Sequence, residues 1–119
     1  MARILLVDDE DLVRRVVRVV LEAEGHEVAE ASSGEQALDE VERAVPDAVI
    51  LDLIIPGMDG FEICKKLKAI RPGPKVLVLS GIPATDSGEE ARAAGADDVM
   101  SKPFSALDLL SRLTALLES

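Results

Sequence analysis

The chain has 119 residues, 48% of them hydrophobic, so we expect one globular domain spanning residues 1–119 with a single core. The formal net charge of −10 disfavours nonspecific binding to nucleic acid, which requires a basic face. Cys64 is the only cysteine, which excludes an internal disulfide, and no Trp or Tyr is present to stack on a flavin or a base. Because no apolar run is long enough for a membrane span and no secretory leader opens the chain, we expect a cytoplasmic protein without membrane partners.

The first strand is predicted at residues 4–7, a short apolar run rich in branched side chains. The helix after it carries an apolar stripe, and we expect its charged side chains to face solvent. The stripe comprises Leu12, Val13, Val16, Val17 and Val20, and the charged side chains are Arg14, Arg15, Arg18 and Glu22. Gly25 is placed to end this helix.

The middle of the chain continues the alternation of strand and helix. Residues 27–31 are more polar and predict an edge strand, and the next helix begins with Ser33 and Gln36 in capping-box spacing. Residues 48–53 are almost wholly apolar and predict a central strand, followed by a helix that begins near Asp59.

The last part of the chain contains two further strand–helix units. Residues 76–79 predict a third buried strand, and residues 97–100 predict a second edge strand. The helix between them, about residues 87–94, is weak because it contains Gly88 and its apolar residues are alanines. The final helix begins near Ser105.

Five strand–helix units in succession predict an α/β fold with a parallel sheet and helices on both faces. The three most apolar strands, the first, third and fourth, should be central, with the second and fifth at the edges. We therefore predict a flavodoxin-like, doubly wound, five-stranded parallel sheet of order 2-1-3-4-5 with five helices.

In such a sheet the functional residues lie at the carboxyl ends of the strands. The polar residues that follow the predicted strands there are Asp8, Asp9, Glu10, Asp52, Ser80 and Lys102. Carboxylates that lie close together repel one another, and a divalent cation relieves the repulsion. A site with a small number of hard oxygen ligands, and with room for water and phosphate, suits Mg²⁺.

A metal-neutralised cluster would allow Asp52 to act as a nucleophile toward phosphorus. The phosphoryl group in transfer carries charge on its equatorial oxygens and needs positive or hydrogen-bonding groups beside them. Lys102 and the Ser80 hydroxyl can supply those groups. The residues thus predict phosphoryl transfer onto Asp52 with Mg²⁺ as the cofactor.

Five segments in this order resemble the receiver domain of response regulators, in particular single-domain chemotaxis-type regulators. They are VDDE at 7–10, LDLIIPGMDG at 51–60, LSG at 79–81, GADD at 95–98 and SKPF at 101–104. The resemblance implies that Asp52 is the phosphoacceptor, that Asp9 and Asp52 ligate Mg²⁺ directly, and that Asp8 acts mostly through water. It further implies that the Ile54 carbonyl is a ligand, that Ser80 and Lys102 respond to the phosphoryl group, and that the peptide bond between residues 102 and 103 is cis.

The resemblance also implies a place in two-component signalling. The donor would be a phosphohistidine on a sensor kinase or a histidine phosphotransfer protein, or a small acyl phosphate. The face formed by the fourth helix, fifth strand and fifth helix would then control a partner protein or an output domain of the same protein, or form a homodimer. Such a domain is not an enzyme in the usual sense, since it catalyses only its own phosphorylation and dephosphorylation.

Val99 departs from the family pattern, which usually has Tyr or Phe three residues before the lysine. The alternative function is therefore that of a pseudo-receiver, an interaction module that phosphorylation does not regulate. A flavodoxin-type electron carrier would need stacking aromatics and a hydroxyl- and glycine-rich loop after the first strand. An aspartyl-phosphate hydrolase would place its nucleophile on the first strand in a D-x-D pattern, whereas Asp8 and Asp9 are adjacent. The cognate kinase, the output and the oligomeric state cannot be inferred from the sequence.

Overall fold

The computed structural model describes residues 2–55, 57–81 and 84–119, with the backbone alone for residues 84–88. The strands are β1 (Arg3–Val7), β2 (Glu27–Ala31), β3 (Ala48–Asp52), β4 (Lys75–Ser80) and β5 (Asp98–Ser101). The helices are α1 (Asp11–Ala23), α2 (Gly34–Arg43), α3 (Gly60–Lys68), α4 (Ala84–Ala93) and α5 (Ala106–Glu118). All strand pairs are parallel and the sheet order is β2-β1-β3-β4-β5, which confirms the predicted fold class.

The core lies in two layers because successive side chains of a strand point to opposite faces of the sheet. One layer joins the sheet to α2, α3 and α4, and the other joins it to α1 and α5. Strands β1, β3 and β4 are buried along almost their whole length, whereas β2 and β5 are partly exposed. This is the predicted division into central and edge strands.

Side-chain caps begin three of the helices at the predicted residues. The Ser33 hydroxyl accepts a hydrogen bond from the Gln36 N–H, the Asp59 carboxylate accepts one from the Phe61 N–H, and the Ser105 hydroxyl accepts one from the Asp108 N–H. These bonds satisfy N–H groups that have no partner inside the helix. Helix α4 begins earlier than predicted, at Ala84 rather than near residue 87.

Helix α1 faces the sheet with a different stripe from the predicted one. Val17 and Leu21 are buried, but Leu12 and Val16 are 70% and 49% exposed. The prediction that Leu12 and Val16 face the core was therefore wrong. Apolar residues occupy so much of the circumference of α1 that their periodicity does not select one side.

Two arginines of α1 also lie differently from the prediction. Arg14 and Arg18 were expected to face solvent, yet both form ion pairs with Glu30 on the edge strand β2. Glu30 shares a face of β2 with Val28, which packs in the α1–α5 layer. The two arginines therefore neutralise Glu30 on the face of β2 that packs against α1.

Within the described part of the chain, no helix has both the length and the apolar character needed to cross a membrane.

Candidate functional site

The carboxyl ends of four strands bring the predicted site residues to one edge of the sheet. Asp8 follows β1, Asp52 ends β3, Ser80 ends β4, and Lys102 follows β5. Asp8, Asp52 and Ser80 are buried, with at most 4% of their surface exposed. The parallel register pairs Asp52 with Leu79 and Ser80 with Ser101, so these strands end at nearly the same level.

Four carboxylates form a compact acidic cluster. One oxygen from each of Asp8, Asp9, Glu10 and Asp52 lies within 4.8 Å of the others. Asp9 and Glu10 are exposed, so the cluster opens to solvent on one side. Carboxylate oxygens are the donors that a hard divalent cation prefers, so these four residues could hold one.

Asp52 is the central carboxylate of the site. Its Oδ1 accepts a hydrogen bond from the Ile54 N–H at 3.1 Å, and its Oδ2 accepts one from Lys102 Nζ at 3.1 Å. Burial raises the pKa of the Asp52 carboxyl above its ordinary value; the Ile54 N–H and Lys102 oppose this rise, and Asp8 adds to it. The folded chain thus holds a carboxylate whose charge is poorly solvated.

Lys102 is the cation that joins the acidic residues. Its Nζ donates to Asp8 Oδ2 at 2.9 Å and to Asp52 Oδ2 at 3.1 Å, and it lies 3.4 Å from Glu10 Oε1. Burial acts to lower the pKa of Lys102, but the hydrogen bonds to Asp8 and Asp52 outweigh it, so the pKa lies above its ordinary value. The ammonium therefore stays charged at neutral pH. The bond between Lys102 and Pro103 is cis, as the resemblance implied.

Comparison with known proteins decides the family. The model of the response regulator receiver domain matches residues 4–114, which is nearly the whole chain. The chain belongs to the response regulator receiver family. It is a signalling domain of two-component systems rather than a classical enzyme.

Several relatives resemble this receiver closely. The response regulator MprA of Mycolicibacterium vanbaalenii is 43% identical over 118 residues, which is 97% of this chain and 50% of that protein. A CheY-like receiver domain protein from Methanospirillum hungatei is 30% identical with a TM-score of 0.93, covering 99% of this chain and 94% of that one. The BeF3-activated receiver domain of DrrB is 32% identical with a TM-score of 0.92, covering 100% and 99%. The receiver spans about half the length of the curated relatives it matches.

Val99 marks where this receiver differs from the expected family pattern. Its side chain is half-buried and packs against the layer formed by α2, α3 and α4, and its carbonyl accepts a hydrogen bond from Arg112 at 3.3 Å. No aromatic ring is present at this position to move between an exposed and a buried orientation.

The structure places Glu10 in the acidic cluster together with Asp8 and Asp9, as the sequence predicted, and adds Arg14, which the sequence did not single out. Arg14 contacts the same loop, since its guanidinium donates to the Asp8 carbonyl at 2.6 Å. The sequence signal for Glu10 was its adjacency to Asp9. No local signal pointed to Arg14, because its partner Glu30 lies on β2, 16 residues away in sequence.

Proposed function

We propose that residues 1–119 act as one receiver unit in the cytoplasm, and that Asp52 accepts a phosphoryl group with the help of Mg²⁺. The donor is a phosphohistidine on a sensor kinase or a histidine phosphotransfer protein. One observation carries the proposal: a nearly buried carboxylate at the end of β3 lies among three other carboxylates and beside the Lys102 ammonium.

The donor set fits Mg²⁺. Asp9 and Asp52 would offer carboxylate oxygens as direct ligands, Asp8 would act through water, and the Ile54 carbonyl would supply a further oxygen. Asp8 Oδ1 accepts a hydrogen bond from the Glu10 N–H at 2.9 Å, which orients this carboxylate. Mg²⁺ held by these residues would neutralise their charge and supply a Lewis acid for a phosphoryl oxygen.

The chain's own residues would carry the transfer. An Asp52 carboxylate oxygen forms the new O–P bond while the P–N bond to the donor imidazole breaks and its electron pair stays on the imidazole nitrogen. Lys102, now bonded to Asp52 and Asp8, can donate to a phosphoryl oxygen instead, and the Ser80 hydroxyl can donate to another. Asp52 and Lys102 are thereby the nucleophile and the charge-stabilising group.

A groove next to the pocket is suited to the donor protein. It has a volume of about 500 Å³, and Glu10 and Lys102 form the part of its lining that it shares with the acidic site. The rest of the lining is mostly apolar and includes the exposed side chains of Leu12 and Val16 and the half-buried Phe104. A protein that brings a phosphohistidine to Asp52 must cover this surface, so the groove supports docking of the donor here.

The output is proposed to pass through the face formed by α4, β5 and α5. Asp98 on β5 lies 3.3 Å from Arg112 on α5 and 3.7 Å from Arg92 on α4, so one carboxylate links all three elements. Movement of Ser80 and Lys102 toward a phosphoryl group would act on β4 and β5 at this face. The face then controls a downstream protein, an output domain of the same protein, or a second copy of the chain, without direct contact with nucleic acid.

Binding of a phosphoryl analogue tests the proposal. Beryllium trifluoride with Mg²⁺ should give bound fluorine NMR signals with the wild type, and Lys102→Met should weaken the affinity by roughly tenfold because a charged hydrogen bond is lost. Lys75→Met is the matched control, since Lys75 begins β4 at the opposite end of the sheet, and it should bind like the wild type. Equal affinities of Lys102→Met and the wild type, or no bound signals with the wild type, would contradict the proposed site.

A further inference from the structure

Arg14 of α1 is packed against the loop that carries the acidic residues. Only 14% of its side chain is exposed. Its Nη1 donates to the backbone carbonyl of Asp8 at 2.6 Å, and its Nε donates to Glu30 Oε1 at 3.0 Å. The guanidinium also donates to the exposed carboxylate of Asp11. The guanidinium therefore connects the loop after β1 to the edge strand β2.

Three other polar groups of this loop have hydrogen-bond partners, and the Glu10 N–H is one of them, since it donates to Asp8 Oδ1 at 2.9 Å. The Asp8 N–H donates to the Ala31 carbonyl at 3.1 Å, and the Glu10 carbonyl accepts the Arg14 N–H at 3.1 Å. The Asp8 carbonyl accepts its hydrogen bond from the Arg14 guanidinium, so Arg14 is one of the groups that hold the backbone of this loop. The two carboxylates of this loop that are proposed to serve Mg²⁺, those of Asp8 and Asp9, depend on that backbone for their direction.

Glu30 fixes the position of the Arg14 side chain. Its carboxylate accepts hydrogen bonds from both Arg14 and Arg18, on one face of β2. A planar guanidinium held at two points keeps its donors in a defined direction, which an ammonium cannot reproduce. Arg18 also pairs with Glu30, but it forms its second ion pair with Glu22 on its own helix rather than with the loop.

We propose that Arg14 is a positioning residue for the metal site: anchored on Glu30, it holds the Asp8 carbonyl so that the Asp8 and Asp9 carboxylates face the cation. This role rests on the proposed function insofar as the cluster binds Mg²⁺. The effect that this role predicts for loss of Arg14 on Mg²⁺ affinity is opposite to the effect that charge alone predicts. A positive charge near the cluster repels a cation, so removal of the charge alone would strengthen Mg²⁺ binding, whereas loss of positioning weakens it.

Mg²⁺ affinity, measured by titration calorimetry without any phosphodonor, separates the two effects. Arg14→Gln and Arg14→Lys should both bind Mg²⁺ about tenfold more weakly than the wild type, as is usual when a group that orients metal ligands is lost. Arg18→Gln is the matched control: it removes an arginine partner of Glu30 but no contact to the loop, and its affinity should stay within about twofold of the wild type. Thermal unfolding without metal checks that each variant is folded, and Arg14→Lys preserves the test should Arg14→Gln not fold.

The outcomes are distinct. Arg14 variants that are folded and bind Mg²⁺ as tightly as Arg18→Gln, or more tightly than the wild type, would overturn the positioning role while leaving the metal site intact. A wild type that takes up no Mg²⁺ would instead overturn the metal site itself. Weaker binding in both Arg14 variants, with wild-type affinity in Arg18→Gln, is the expected result.

Discussion

Asp52→Asn should unfold at a higher temperature than the wild type at neutral pH in metal-free buffer. Asp52 is only 4% exposed, and burial raises the pKa of its carboxyl in spite of the Ile54 N–H and Lys102. The ionised form is thus less favourable in the folded chain than in the unfolded chain. Asparagine has nearly the same shape, keeps an acceptor for the Ile54 N–H and carries no charge. We expect a gain on the order of 1 kcal/mol, or about 4 °C in Tm.

The pH dependence of this difference follows from the direction of the pKa shift. Below the unfolded pKa, Asp52 is protonated in both states and its ionisation has no effect on stability. Between the unfolded and the raised folded pKa, the folded chain binds more protons, so the stability of the wild type falls as pH rises. The Tm of Asp52→Asn minus that of the wild type should therefore be smaller in acid, grow as pH rises through the folded pKa of Asp52, and then stay constant.

Mg²⁺ should reduce the difference in Tm between Asp52→Asn and the wild type. A cation that binds the folded state alone stabilises it in proportion to the logarithm of its concentration over Kd, and the wild type should gain more than Asp52→Asn, which lacks one ligand. Asp9→Asn is the control for simple charge removal, since Asp9 is exposed and its loss should change the metal-free Tm less. A wild type that is more stable than Asp52→Asn without metal at neutral pH would show that the pair with Lys102 outweighs burial.

Gly60→Ala should destabilise the fold by about 3 kcal/mol. A Cβ on Gly60 would lie 2.5 Å from the Leu53 carbonyl oxygen and 2.6 Å from the Leu53 Cα. Both are backbone atoms, directly after Asp52, so neither can move aside as a flexible side chain would. The first turn of α3 would have to move away from the end of β3. Urea unfolding followed by far-UV circular dichroism measures the loss, since the chain has no Trp or Tyr for fluorescence.

Gly81→Ala provides the matched control for this substitution. A Cβ on Gly81 would meet no heavy atom of the described residues within 4 Å, and Gly81 has no positive φ. Its stability should therefore stay within about 0.5 kcal/mol of the wild type. Equal stabilities of Gly60→Ala and Gly81→Ala would mean that α3 does not need its close approach to Leu53.

Much of the fold could be predicted because strand and helix signals were local. The predicted strand at residues 27–31 matches β2, and the ends of the other strands differ from the prediction by at most one residue. Ser33, Asp59 and Ser105 act as helix caps as expected, because capping depends on neighbours two or three residues away. Asp8, Asp9, Asp52 and Lys102 were placed together because the carboxyl ends of parallel strands meet at one edge.

The parts that could not be predicted depend on distant partners. The side of α1 that faces the sheet carries Arg14 and Arg18, which form ion pairs with Glu30. Glu30 lies 12 or more residues away in sequence, so these pairs give no local signal. The apolar residues of α1 fit the helical period on more than one side of the helix. The period therefore could not distinguish the buried Val17 and Leu21 from the exposed Leu12 and Val16. The start of α4 was missed because the segment offers small side chains and Gly88 rather than an apolar stripe.

Intact mass after incubation with phosphoramidate, a small donor with a P–N bond, tests the account most directly. With Mg²⁺ the wild type should gain the mass of one phosphoryl group, and it should gain none when the metal is chelated. Asp59→Asn, which alters an exposed helix cap outside the pocket, should behave like the wild type. Asp52→Asn should take up none. A phosphoryl group on Asp52→Asn, or none on the wild type with Mg²⁺ present, would contradict the central claim.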